Sequence, residues 1–437
     1  MPVEKHKEVT TKENRFVTPS YLPMQRRNIE LYLFGEKVWV EYLVVTLLVC
    51  ISGNYAFNFF GHPRAVLVIV AFLFCALLLI RQTPFFSARF CFAITSFAGI
   101  LVVQSILFSF FPTITIAGFL ARMFIGYAAF HLVRNFPRVY INVLSGIVIL
   151  SLCFYIPEQV CRTFGVDFRS FFHLLKNAPE ARADLHLIVH NFHLDSAPYR
   201  NASFFWEPGA FAGYLLLALI FLGLEKEQFK VRPYWTRISV LYVGLLSTFS
   251  TTGYIVLPLA LLLHFRLDGR TKAVAIKSFM LFYMLALSVE SITYRSVVGG
   301  GSMKEKIVTQ YTDALYRGGG RHRNRFDNLV ADTQYIGKRP ILGWGLNRKT
   351  RYMLHRGREY GSGHGEGLTD FIAKFGFTGL GIFTLCAWMG FMQLSGQNLL
   401  MSTFATLLIL LMLNGECFLN FPLFLGLMFL EERQSQL

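Results

Sequence analysis

Apolar residues fall along this chain in long blocks, at 38–57, 64–80, 88–110, 112–133, 139–156, 208–224, 238–265, 273–292, 367–395, 398–413 and 417–430. A helix needs roughly 20 such residues to cross the hydrocarbon core of a bilayer, so the blocks predict helices buried in lipid or in one another. Two hydrophilic stretches, 157–207 and 293–366, interrupt them. The expectation is an all-α polytopic integral membrane protein. Its organisation runs from a polar segment at 1–37, through helices at 38–156 and 208–292, to C-terminal helices and a short tail at 367–437, with the hydrophilic stretches as two large loops.

The block at 238–265 is unusual because its centre reads Ser247-Thr248-Phe249-Ser250-Thr251-Thr252-Gly253. Non-helical backbone is tolerated at membrane depth only where protein or a water-filled cavity surrounds it. The polar centre therefore predicts two half-spans, about 238–249 and 253–265, joined by a turn. Counting the two halves separately gives about 12 spans. It also returns Arg266 to the side on which the chain begins.

Composition narrows the class. Hydrophobic residues make up 54% and charged residues 16%, against about 25% charged in soluble proteins, which excludes a soluble enzyme. Segment 1–37 lacks the apolar core and cleavage site of a signal peptide and is expected to stay cytoplasmic, lying partly on the membrane surface. Short loops rich in Lys and Arg stay on the cytoplasmic side. Arg81 with Arg89, Arg134 with Arg138, and Lys226, Lys230, Arg232 and Arg237 mark three such loops, which puts 157–207 and 293–366 outside. The formal charge is +16. Stretch 293–366 holds 14 Lys/Arg and 6 Asp/Glu, and such an outward-facing basic loop suits an anionic ligand at the membrane boundary. Nucleic-acid binding is not expected there, since the loop has no regular aromatic interleave. The seven cysteines include no CxxC pair, so neither metal nor redox chemistry is expected and no cofactor is implied.

Several residues could carry chemistry. The first loop ends Tyr199-Arg200-Asn201-Ala202-Ser203-Phe204-Phe205-Trp206-Glu207-Pro208-Gly209. Pro208 suits the first position of a helix, which puts Glu207 near the N-cap, where a carboxylate meets the positive end of the helix dipole. Glu207 is either a cap or a carboxylate facing a cavity or Arg200. In the second loop, Arg321, Arg323 and Arg325 follow a glycine run and could converge on phosphate oxygens through their guanidinium forks. A solvated basic loop is the alternative. His364 stands among glycines just before an apolar block, and neutral imidazole is suited to taking a proton from a hydroxyl. Glu366 and Asp370 are read as the polar start of a helix. Arg122 lies in the middle of block 112–133; a charge there is costly, so it is expected to face the interior toward Glu41, polar backbone or a bound phosphate.

Taken together, these motifs resemble the bacterial O-antigen polymerase/ligase superfamily. Phe205-Trp206-Glu207-Pro208-Gly209 is similar to its F-x-E-P-G helix start. Arg325-x-x-x-Leu329, then Pro340-Ile341-Leu342-Gly343-Trp344-Gly345, then His364, then Gly376-Phe377-Thr378-Gly379 is similar in order to its loop signature. Ser247 to Gly253 resembles the polar turn between two of its spans. The chain departs from the family in having Gly365 after the histidine and one extra residue before Gly376, which favours polymerase over ligase.

The resemblance implies a multi-span, GT-C-like fold in the inner membrane and a metal-independent glycosyltransferase facing the periplasm. Its donor would be an undecaprenyl-diphosphate-linked oligosaccharide. Arg325 and Arg200 would bind the diphosphate, His364 would act as base, and Glu207 would hold Arg200 or an acceptor hydroxyl. Membrane lipid, a flippase and a chain-length regulator of the same pathway are the implied partners. The ligase alternative transfers finished glycan to lipid A core. A secondary transporter, using the polar turn and Arg122, is the reading from a different class.

Overall fold

The computed structural model describes residues 38–55, parts of 69–77, 86–175, 185–192, 199–226, 229–264, 325–347, 350 and 367–430. The polar segment 1–37, most of block 64–80 and all of block 273–292 lie outside these residues. The longer helices are α1 (Val38–Gly53), α2 (Ala88–Leu107), α3 (Thr113–Leu132), α4 (Phe136–Thr163), α5 (Pro208–Leu224), α6 (Val231–Ser247), α7 (Thr251–Leu262), α8 (Arg325–Lys338), α9 (Gly367–Leu394) and α10 (Leu399–Leu413). Four of them, α2, α3, α4 and α9, are long and apolar enough to cross a membrane, and α1, α5, α7 and α10 are shorter apolar helices. The only strands among the described residues are Leu185–His186 and Asn191–Phe192, a two-stranded antiparallel ribbon.

The centre of the bundle is α5. Every one of its residues is buried, as expected for a helix that is apolar all round, and α4, α6, α7 and α10 pack about it. Tyr140 reaches from α4 to donate its hydroxyl to the Tyr214 carbonyl at 3.1 Å. The outer helices instead expose apolar side chains, including Val102, Ile106 and Leu107 on α2, Ile114 on α3 and Ile149 and Ile156 on α4. Apolar side chains turned outward in such number are matched to lipid rather than to water.

The polar centre of block 238–265 is a hairpin. α6 ends at Ser247, Phe249 takes a left-handed φ of 46°, and Ser250 caps α7 by accepting from the Gly253 N–H at 3.3 Å. α7 then ends where α6 begins: Lys226 donates to the His264 carbonyl at 2.8 Å and Tyr234 shares a 2.5 Å hydrogen bond with His264 Nδ1.

Two expectations are corrected. α4 runs past 156 as far as Thr163, with Pro157 inside it. The extension carries an i,i+4 pair, Glu158 with Arg162 at 2.8 Å, and such pairs support a helix locally. Block 417–430 is not one span. It is a 3₁₀ turn at Phe418–Asn420, a five-residue helix α11 (Pro422–Gly426) and a second 3₁₀ turn at Leu427–Phe429. Pro422 cannot continue a preceding helix but suits the start of one, and Ser52 Oγ accepts from the Leu423 N–H at 3.1 Å. Arg89, read as flanking a loop, stands in the first turn of α2. It is 8% exposed and donates to the carbonyls of Leu430 at 3.0 Å and Met428 at 3.5 Å and to Gln393 Oε1 at 3.1 Å, closing the last described turn.

Candidate functional site

Two junctions bring the sequence motifs into the bundle. The first is built by the segment ahead of α5. Its backbone is extended at Glu207 (φ −158°, ψ 162°) and pairs as a bridge with Asn54, just beyond the end of α1. Asn201, 1% exposed, holds it to the α6–α7 hairpin. Its N–H donates to the Ser247 carbonyl at 2.9 Å and its Nδ2 to Ser247 Oγ at 3.0 Å. Its Oδ1 accepts from Ser151 Oγ at 2.7 Å and the Ser203 N–H at 2.9 Å. Arg200 Nε donates to the Thr248 carbonyl at 3.0 Å. The polar residues that break α6 from α7 are thus the ones that receive the segment carrying Arg200 and Glu207.

The second junction is at Gly376, where α9 is broken by a left-handed glycine (φ 68°, ψ −175°). The segment after α8 fills the gap. Trp344 and Gly345 donate to the carbonyls of Ala373 and Lys374, each at 2.9 Å, while Phe377 and Thr378 donate to those of Pro340 at 2.7 Å and Ile341 at 3.2 Å. Gln104, 3% exposed on α2, donates its amide to the carbonyls of Leu342 and, at 2.8 Å, of Lys374. The segment replaces the hydrogen bonds that the broken helix forgoes, which is what irregular backbone inside a bundle requires. Both glycines are required. A Cβ on Gly376 would sit inside the Ile341 carbonyl oxygen, and one on Gly343 (φ 71°) would come within 2.6 Å of the Lys374 carbonyl carbon. Arg339 lies over the rings of Phe108 and Trp344 at 4.6 and 4.8 Å, a cation–π arrangement, and Trp344 Nε1 donates to the Tyr335 carbonyl at 2.9 Å. A small cleft borders this junction between Leu101, Phe108, Ile116 and Leu346.

A polar seam lies beside the second junction. Thr369 Oγ1 donates to Asp332 Oδ2 at 3.1 Å, fixing α8 to α9. Asp370 pairs with Lys374, and Lys374 Nζ also donates to Asn420 Oδ1 at 3.1 Å. Asp332 and Asp370 are 0% and 2% exposed, so each carboxylate depends on its partners for the solvation it has lost.

The structure places the sequence-selected residues as follows. Glu207 is half-buried at the N-cap position of α5, where the sequence put it, and makes no side-chain capping bond. Arg200 joins it at the first junction. Arg325 is the first residue of α8, the helix that leads into the second junction; its side chain lies outside the described residues, as do Arg321, Arg323 and His364. Arg122 is half-buried on α3. Its suggested partner Glu41 is engaged by Arg134, whose N–H donates to Glu41 Oε1 at 3.2 Å. Asp370 stands in the first turn of α9, as expected, and is buried there in its pair with Lys374.

Sequence reasoning missed Asn201, Gln104, Asp332 and Lys374. The acid–base pair Asp370 and Lys374, four residues apart at the head of an apolar block, was the available signal. Gln104 inside block 88–110 was another, since a buried amide needs partners.

The fold and these junctions define an all-α protein of membrane-spanning type. No model of a known protein family matches the chain, and no curated protein matches it.

Proposed function

We propose that this chain is an inner-membrane glycosyltransferase, about 12 spans with external loops at 157–207 and 293–366. It joins undecaprenyl-diphosphate-linked oligosaccharide units into a polysaccharide. The observation that carries this reading is the fit between the motif set and the two junctions. The Glu207 segment docks on the Ser247–Ser250 break, and the Pro340–Gly345 segment docks on the Gly376 break.

In this reading an acceptor sugar hydroxyl attacks the anomeric carbon of the donor. The bond from that carbon to the diphosphate oxygen breaks, undecaprenyl diphosphate leaves, and His364 takes the hydroxyl proton. Arg325 and Arg200, aided by Arg321 and Arg323, neutralise the charge growing on the leaving group. Electrostatic stabilisation of this kind often contributes more to catalysis than any other single effect. Glu207 orients Arg200 or the acceptor. The lipid tail lies along the outward apolar faces of the bundle.

The test uses purified protein with its lipid-diphosphate-linked oligosaccharide, with and without lipid A core, and products resolved on a gel. A ladder from donor alone is the expected result. Transfer that requires lipid A core would make the chain a ligase, and untouched donor in both lanes would overturn the transferase. His364→Ala is expected to lower turnover by about 10²–10⁴-fold, the usual worth of a general base. Arg325→Ala should cost about 10²–10³-fold, as for one electrostatic donor. Both should keep the parent's elution profile in detergent, and retained turnover removes the residue from the mechanism. The sidedness has its own check: a cysteine replacing Ser302 should react with an impermeant thiol reagent in intact spheroplasts, and labelling only after lysis would place 293–366 inside.

A further inference from the structure

Lys374 belongs to the second junction and is linked to the first through Asn420 and Phe421, and the transfer chemistry gives it no role. Through its backbone it belongs to the second: its carbonyl accepts from Gln104 Nε2 at 2.8 Å and from the Gly345 N–H at 2.9 Å, two residues before the break. Its side chain points elsewhere. The side chain is 12% exposed; its ammonium pairs with Asp370, whose side chain is 3% exposed, and donates to Asn420 Oδ1 at 3.1 Å. Asn420 closes the 3₁₀ turn that interrupts block 417–430. The next residue, Phe421, stacks its ring on Trp206 at 4.8 Å with the planes 29° apart. Trp206 is the residue before Glu207. One side chain and one ring pair therefore connect the filled break of α9 to the start of α5.

Packing alone does not account for a lysine here. An apolar side chain of similar length would fill the space without the desolvation cost of a buried ammonium, and replacing buried ion pairs by apolar residues is often neutral or stabilising. Such a pair gives direction instead. Its donors accept one geometry, and the best-attested use of buried charges is to set register. Asp370 fixes the ammonium along α9, and Asn420 receives the remaining donor. The polar break at 418–420 is thereby held at one height relative to Gly376.

We propose that Lys374 is a positioning residue that couples the Pro340–Gly345 junction to the Trp206–Glu207 segment, so that the two motif segments are held in one register. Its consequence for turnover rests on the transferase reading. The coupling itself does not.

The test is hydrogen–deuterium exchange on the purified full chain in detergent, paired with turnover of the lipid-linked donor. Lys374→Met with Asp370→Asn removes both charges of the pair together, and Asn420→Ala removes only the link to the turn. In both variants exchange is expected to rise about tenfold at 203–209 as well as at 416–421, within the range of coupling between sites. For the double variant kcat should fall about a hundredfold with KM little changed, the pattern of a loss felt in the transition state and not in substrate binding. Lys374→Arg, which keeps charge and donors, should recover most of both.

Loosening confined to 368–378 and 416–421, with 203–209 unchanged, would overturn the coupling. Coupled exchange with the parent's kcat would overturn the positioning role. Coupled exchange in a protein whose parent leaves the donor untouched would sink the transferase reading and leave the tie between the segments standing.

Discussion

Gly376→Ala is expected to unseat the Pro340–Gly345 segment from the bundle and to abolish glycosyl transfer with it. The methyl group would fall inside the Ile341 carbonyl oxygen, with the Leu342 nitrogen also within 2.6 Å, and the obstacle is backbone, which cannot swing away as a long side chain can. The residue's φ of 68° adds strain, since a non-glycine residue held in a sparsely populated backbone region costs on the order of 1–3 kcal/mol. Relief requires the segment to withdraw. The carbonyls of Ala373 and Lys374 then lose the N–H groups of Trp344 and Gly345, and Gln104 loses its acceptors. Each buried polar group left unmade costs about 1–3 kcal/mol. The purified variant should show a melting midpoint well below the parent's in the same detergent. Gly381→Ala, five residues along the same helix, is the control: nothing lies within 4 Å of its Cβ, and its midpoint should match the parent's or exceed it slightly. Equal melting of the two variants would mean that the break in α9 is not sealed by this segment.

The second large effect is expected from Asn201. Asn201→Leu keeps the approximate volume and removes a side-chain donor to Ser247 and an acceptor shared by Ser151 and Ser203. The hydroxyl and N–H that remain are buried, so the loss is that of unsatisfied groups, about 1–3 kcal/mol each. Arg200 is anchored on the adjacent Thr248 carbonyl, so the same change should displace the Arg200–Glu207 segment. The expected outcome is a lower melting midpoint with turnover falling further than stability alone explains. Asn201→Asp is the informative partner. It preserves the acceptor and loses the donor, and it should lie between parent and leucine variant in both measurements. A leucine variant that melts and turns over like the parent would show that the hairpin does not depend on this asparagine.

Much of the candidate site's raw material was readable in one dimension. The polar run from Ser247 to Gly253 stood out because a bilayer-length apolar block has no use for it, and Pro208 after Glu207 marked a helix start. The same reasoning misjudged block 417–430, whose hydropathy is that of a span. Asn420, Phe421 and Pro422 divide it because each has a distant partner, namely Lys374, Trp206 and the wall of α3 near Gly126. Asp370 does open α9 as read, but its burial against Lys374 was not legible: an acidic residue at the head of an apolar block has the same local signature whether water or a lysine satisfies it.

Apolar blocks of bilayer length and clustered basic loops determined by themselves that this is a helical membrane protein, because the cost of leaving backbone or charge unsolvated in lipid is paid residue by residue. Which breaks in the helices are filled, and by what, was decided only in three dimensions. Gly376 and the segment at Pro340–Gly345 lie some thirty residues apart along the chain, and Gln104 is far from both. Hydrogen bonds between unwound strands of backbone follow proximity, and proximity comes from the packing of the whole bundle.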